Sequence, residues 1–335
     1  MVELSVLWTR ILPLLAALYS VYYWQFITSR QHYKGDAILN GKTVIITGGN
    51  SGIGRVTALD LAQRGARVIL ACRSLQKAQD AAEEIKARTG NSEVEVRHLD
   101  LASLQSVREF ASGILESEER LDILINNAGI GFAREGAVTK DNFHLIFGIN
   151  HFGHFLLTNL LLDLLRKSAP SRVITISSIG HEWVFSPLDL TRGDHSSSGS
   201  HGSPVLYPHL RSYFQSKLAN VLFARELARR LESTGITSVS LHPGVIYTPI
   251  WSDMPVDWIT TINHFFCRPF FWLFFIDEEA GAQTTLHCAL DDSIPYLSGS
   301  YFDNCQETAP SALAQDDELA QRLWEVSCEA TGLNC

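Results

Sequence analysis

From residue 42 onward the chain alternates between two kinds of apolar pattern. Short runs rich in β-branched residues at 42–47, 66–72, 93–98, 122–126, 172–177 and 237–242 read as buried strands. Between them, longer stretches at 55–62, 75–88, 103–117, 140–166 and 210–231 carry the apolar spacing of amphipathic helices. This strand–helix alternation predicts an α/β fold, a Rossmann-type doubly wound parallel sheet with helices on both faces. Ligands of such sheets bind outside the carboxyl ends of the strands.

The pattern before residue 40 differs. Residues 11–29 carry no formal charge and would span about 28 Å as a helix, close to the ~30 Å hydrocarbon thickness of a bilayer. Tyr22, Tyr23 and Trp24 suit a membrane interface, and Pro13 stands near the start, where it does least harm. Arg30, Lys34 and Lys42 follow the segment, whereas Arg10 and Glu3 precede it, so the expectation is an N-terminal membrane-anchor helix with the catalytic domain facing the cytosol. The aromatic residues after the Leu-Ala-Ala core favour an uncleaved signal-anchor over a cleaved signal peptide. The endoplasmic reticulum is the expected membrane, with a mitochondrion or lipid droplet as alternatives. A second apolar patch at 264–276 is interrupted by Arg268 and Pro269 and is too short to span. It reads either as packing over the substrate or as a greasy pocket wall that also touches the membrane. The division expected is an anchor and juxtamembrane segment, 1–35, and one oxidoreductase domain, 40–335, with a substrate-pocket segment near 245–280.

Composition narrows the partners. A chain of 335 residues, 46% hydrophobic, can bury one large α/β core. The net charge of −9 and the lack of a basic stripe argue against a nucleic-acid partner. The six cysteines are scattered and show no zinc spacing, so no metal is expected, and in a reducing compartment they would be free thiols. The Ser-, Gly- and His-rich stretch 194–204 reads as a surface loop rather than a metal site. A lipophilic substrate and a second copy of the chain remain as candidate partners.

Two motifs carry chemistry. Thr47-Gly48-Gly49-Asn50-Ser51-Gly52-Ile53-Gly54 lies between the first strand and the first helix. Glycines there let backbone N–H groups approach a pyrophosphate, and the helix N-terminus adds a favourable field. Far downstream, Tyr213 and Lys217 stand four residues apart, which places them on one face of a helix. A nearby ammonium favours the phenolate, but moving a phenol from ~10 to neutrality takes about 4 kcal/mol. One lysine in water does not supply that; a partly dry site with further hydrogen bonds is needed. At the end of the second strand, Leu70-Ala71-Cys72-Arg73-Ser74 offers no carboxylate for a ribose 2′-hydroxyl, and Arg73 can pair with a 2′-phosphate. NADP(H) is therefore expected over NAD(H).

With these motifs the chain resembles the short-chain dehydrogenase/reductase family over about residues 40 to 305. Thr47 to Gly54 match its cofactor turn, and Asn126-Asn127-Ala128-Gly129 its second signature. Asn150, Ser178, Tyr213 and Lys217 match its catalytic tetrad, and Pro243-Gly244 the turn after its sixth strand. The stretches 71–74, 150–158 and 216–223 are similar to the retinol dehydrogenases numbered 11 to 14. The C-terminal part, at 281–284 and 323–325, is similar to dehydrogenase/reductase SDR family member 13.

The resemblance implies that Gly48, Asn50, Ser51, Gly52, Ile53 and Gly54 hold the pyrophosphate, and that Asp100 and Leu101 frame the adenine. Asn126 would lie beside the ribose, with Ala128 and Gly129 following it. Pro243, Gly244 and Thr248 would serve the nicotinamide end. It also implies that Ser178 binds the carbonyl oxygen, with Ser177 as the adjacent rival, and that Tyr213 moves the proton. Lys217 would favour the phenolate and contact the ribose, and Asn150 would hold a water behind the lysine. His151 and His154 read as packing or polar-network residues rather than acids or bases. The implied activity is interconversion of a lipophilic alcohol, such as retinol, with its aldehyde or ketone.

Overall fold

The computed structural model describes residues 30–134, 136–184, 207–246 and 276–334, with isolated positions between 13 and 23. Among the described residues, eight strands form one sheet: β1 (Thr43–Thr47), β2 (Arg67–Cys72), β3 (Val94–His98), β4 (Ile123–Asn126), β5 (Ser171–Ile176), β6 (Ile236–His242), β7 (Tyr301–Asp303) and β8 (Gln306–Thr308). Their order is β3-β2-β1-β4-β5-β6-β7-β8. All neighbours are parallel except the closing pair β7–β8. The order reverses beside β1, and there the strand ends open a crevice.

The period of two along each strand sorts side chains between two cores. Val44 and Ile46 of β1 join Val68 and Leu70 of β2 on one face. There they meet α1 (Gly52–Gln63), α2 (Leu75–Thr89) and α7 (Glu278–Leu290). Ile45, Ile69, Leu124 and Val173 point the other way. They meet α3 (Leu104–Ser117), a broken helix α4 at 145–160, and α6 (Tyr207–Arg230). A short α5 (Leu162–Lys167) links α4 to β5, and α8 (Asp317–Thr331) closes the chain. Each fully buried Ile or Leu contributes about 1.5–3 kcal/mol, which is why both faces demand cover.

The six expected strands are all present, within a residue or two of their expected limits. The single helix expected over 140–166 is not. The chain first makes a bridge between Val138 and His144, and Thr139 Oγ1 accepts from the Phe143 N–H at 3.1 Å. Helix begins only at Leu145, widens into a π-turn over Gly148–Phe152, continues over Gly153–Leu160 and breaks at Leu161. Local hydrogen bonding by Thr139 competes with helix in the stretch expected to begin it.

Among the described residues no helix is long and apolar enough to cross a membrane. The expected anchor at 11–29 lies almost wholly outside them, as do the 194–204 loop, Thr248 and 264–275. Cys72, Cys288 and Cys305 are free. Cys328 is disulfide-bonded, which corrects the expectation of free thiols throughout; scattered positions along a sequence do not say which cysteines fold together.

Candidate active site

A cleft of about 500 Å³ opens at the carboxyl ends of β1, β2, β4, β5 and β6. Its floor on one side is the glycine turn. Gly48 adopts a left-handed φ of +66°, and a side chain there would come within 3.1 Å of Ala128. A methyl on Gly54 would lie 2.5 Å from Asn127 Nδ2 and 2.6 Å from the Gly48 carbonyl oxygen. Ser51 precedes α1 in extended conformation and makes no side-chain cap bond. The first-turn N–H groups therefore keep their capacity for an anion.

Thr47 ties this turn to β4. Its Oγ1 accepts from the N–H groups of Asn127 and Ala128, each at 2.9 Å. It also lies 2.8 Å from His154 Nε2. His154 Nδ1 faces the Asn150 carbonyl at 3.1 Å. A carbonyl only accepts, so Nδ1 carries the proton and Nε2 accepts from the Thr47 hydroxyl. Burial holds the His154 pKa down to about 4 and that of His151 to about 3. Both are neutral network residues, as expected.

On the opposite side stand Ser178, Tyr213 and Lys217, all lining the same cleft. Ser178 lies just beyond β5 and begins a 3₁₀ turn, Ile179–Trp183, its Oγ accepting from the Gly180 N–H at 3.1 Å. Its rival Ser177 is committed elsewhere, since Ser177 Oγ donates to the Lys217 carbonyl at 2.7 Å. Tyr213 and Lys217 lie one turn apart on α6, and Lys217 Nζ sits 5.7 Å from the centre of the Tyr213 ring. Lys217 Nζ also donates to the Ile176 carbonyl at 3.1 Å. Burial lowers its pKa from 10.5 to about 8.

Tyr213 behaves differently from expectation. Burial raises its pKa, and a hydrogen bond with Ser178 pulls the other way without reversing the result. In the free protein the phenol is held protonated, and the lysine does not overcome the loss of solvent. Loss of water around the charged phenolate outweighs the hydrogen bond that favours it.

Asn150 does not line the cleft itself. It is fully buried, in the π-turn behind the cleft. Its Oδ1 accepts from the Ile130 N–H at 2.9 Å. Its Nδ2 donates to the Ile130 carbonyl and to Ser216 Oγ, both at 3.0 Å. The amide's two donor hydrogens are thus both used, and the side chain braces the loop after β4 against α6.

A second departure concerns Asn126. It shares the strand phase of Leu124, so its side chain turns toward α4 and donates to Thr158 Oγ1 at 2.9 Å. Asn127, one residue beyond β4, lines the cleft in its place. The remaining expected contacts, Gly48, Asn50, Ser51, Gly52, Ile53, Gly54, Arg73, Asp100, Leu101, Ala128, Gly129, Pro243 and Gly244, all line it. The sequence reading passed over Lys77, which stands four residues after Arg73 in the first turn of α2 and also faces the cleft. Its signal was a second basic residue close after Arg73, in the first turn of the helix that follows the second strand. A groove of about 1,070 Å³ along α6, β7 and β8 is larger, but it holds neither the glycine turn nor Ser178, Tyr213 and Lys217.

This arrangement matches known proteins. The sequence profile of short chain dehydrogenases matches residues 42–184. Dehydrogenase/reductase SDR family member 13 of Bos taurus is 48% identical over 90% of this chain and 76% of its own length. Retinol dehydrogenase 13 of Homo sapiens is 46% identical over 89% and 86%. The chain belongs to the short-chain dehydrogenase/reductase family. Among solved structures of this fold, an uncharacterized protein from Mycobacterium paratuberculosis superposes with a TM-score of 0.68 at 34% identity, covering 91% of this chain and 99% of that one. The Pseudomonas aeruginosa RhlG/NADP active-site complex superposes with a TM-score of 0.60 at 25% identity, over 79% and 95%. The family is one of oxidoreductases with a nicotinamide cofactor on a Rossmann-type sheet, and the cleft's donors fit that group: backbone amides, a glycine cradle and two cations.

Proposed function

We propose that the protein is a membrane-anchored, NADP(H)-dependent oxidoreductase that interconverts a lipophilic alcohol and its carbonyl, with retinol and retinal as the favoured pair. The observation that carries the reading is the meeting of Ser178, Tyr213 and Lys217 in one cleft with the glycine turn. When bound, the dinucleotide supplies or accepts the hydride.

This chain's residues do the rest. Ser178 donates a hydrogen bond to the carbonyl oxygen and fixes its position. Tyr213, held protonated by burial, gives its proton to the developing alkoxide in reduction. In the reverse direction it must lose that proton, and the Lys217 ammonium then stabilises the phenolate. Arg73 and Lys77 favour a 2′-phosphate. Trp183, Leu210, Phe214, Val245 and Ile246 give the cleft an apolar wall, which suits a hydrocarbon chain. The relatives named retinol dehydrogenase support retinal as the first substrate to test, and the uncharged segment 11–29 supports the anchor.

The test is cofactor consumption by the full-length chain in detergent, with retinal and a panel of aldehydes and ketones, using NADPH and NADH in parallel. The reading expects retinal-dependent NADPH oxidation, slower with NADH. NADPH binding with no oxidation across the panel would instead mark a nucleotide-binding membrane scaffold.

A further inference from the structure

Behind the catalytic serine lies a histidine that the chemistry above does not use. His181 is completely buried, with 0% of its surface exposed. Its Nδ1 lies 2.8 Å from the Ser178 carbonyl oxygen, which also accepts from the His181 backbone N–H at 3.1 Å. On the far side of the ring, the Ser311 N–H donates to Nε2 at 3.1 Å. The Tyr301 ring of β7 packs against it, centroid to centroid at 4.8 Å. The two partners fix one tautomer without ambiguity: a carbonyl requires a proton on Nδ1, and an amide N–H requires a lone pair on Nε2. The ring is thus a strut with a defined direction. It joins the backbone of Ser178 to the C-terminal segment after β8, some 130 residues away in sequence.

The geometry points to His181 as a positioning residue: through its Nδ1–H bond to the Ser178 carbonyl, it sets the turn that aims the Ser178 hydroxyl at the substrate oxygen. The inference rests on Ser178 binding that oxygen. Of the two bonds, the one to Ser178 governs turnover, and the one to Ser311 holds the ring in place.

Three variants separate these bonds. In His181→Asn the amide reaches the place of Nδ1, keeping a donor to Ser178 and losing the bond to Ser311. In His181→Gln the longer side chain reaches the place of Nε2, keeping an acceptor for Ser311 and losing the bond to Ser178. Ser311→Pro deletes only the N–H that serves Nε2, at a residue whose φ of −54° suits proline. Turnover is measured per NADPH-binding site, with Ser178→Ala in parallel. His181→Gln is expected to lose about 10²-fold in kcat, the scale of a small misplacement at a reacting centre, with KM and NADPH affinity nearly unchanged. His181→Asn and Ser311→Pro are expected to stay close to wild type. Equal losses in all three variants, or full turnover in His181→Gln, would overturn the inference. Should His181→Gln not accumulate folded, a loss of turnover in either folded remaining variant would overturn it too. If Ser178→Ala itself retained turnover, the fault would lie with the role of Ser178.

Discussion

The two walls of the cleft are made of different material. The cofactor wall, from β1, α1 and β4, presents backbone: glycines too tightly packed for a side chain, with Thr47 and Asn127 bonding the turn in place. The catalytic wall, from the end of β5 and from α6, presents side chains: a serine, a phenol and an ammonium, two of them nearly enclosed, at 7% exposure for Tyr213 and 3% for Lys217. On the first wall shape and stability are one property. On the second, chemistry is added to a fold that stands without it. Substitutions should therefore damage the walls in different ways.

The largest effect is expected from Tyr213→Phe. Removing one oxygen deletes the proton donor, and kcat should fall by about 10²–10⁴-fold, while the melting temperature and NADPH affinity stay close to wild type. A melting temperature that fell with activity would erase the contrast between the walls. Gly54→Ala should do the opposite. The new methyl meets Asn127 and the Gly48 carbonyl oxygen, an overpacking worth about 1–3 kcal/mol. Chemical denaturation should report that loss, and calorimetric titration should report weaker NADPH binding.

Acidity sharpens the comparison further. Lys217, with its pKa lowered to about 8, keeps its charge below that pH and sheds it above. The value of kcat/KM for NADPH, which reports ionisations of the free enzyme, should fall as pH rises through about 8. A profile flat to pH 10 would show that the ammonium is not needed. The smallest effect belongs to the buried histidines. His151 and His154 stay neutral in the fold to about pH 3 and 4, whereas unfolded histidine takes up a proton below ~6.5. The unfolded chain then binds more protons, so stability is full above pH 6.5 and falls as pH drops toward 4. Each histidine contributes at most about 1.4 kcal/mol per pH unit. Denaturation midpoints at pH 7 and pH 5 check the sign, and His151→Phe should reduce the slope.

The same contrast explains what could be read from the chain. The glycine wall was legible because a backbone requirement leaves one residue type as its trace, and β-branched runs flank it. The parallel run of β1 to β6 followed from alternation. Asn126 and Asn127 were exchanged because the motif does not reveal strand phase; only pairing with Leu124's face decides which amide turns inward. On the catalytic wall the residue types were legible and their bonds were not. Tyr213 and Lys217 were placed together correctly, yet the direction of the Tyr213 pKa depends on burial by segments distant in sequence. Nothing local to Asn150 announces Ile130 and Ser216 as its partners. The pair β7–β8 and helices α7 and α8 escaped notice: the strands have three residues each, too few to show a period, and they gain their place only by pairing with β6.

The central claim is that hydride transfer in this cleft is completed by a proton from Tyr213. NADPH carrying deuterium at the transferable C4 position, incubated with retinal and the wild-type or Tyr213→Phe chain, tests it most directly by mass spectrometry of the product. The account predicts retinol carrying one deuterium from the wild type and almost none from the variant, with both proteins binding the cofactor. Unlabelled retinol from the wild type, or equal labelling by the variant, would contradict it.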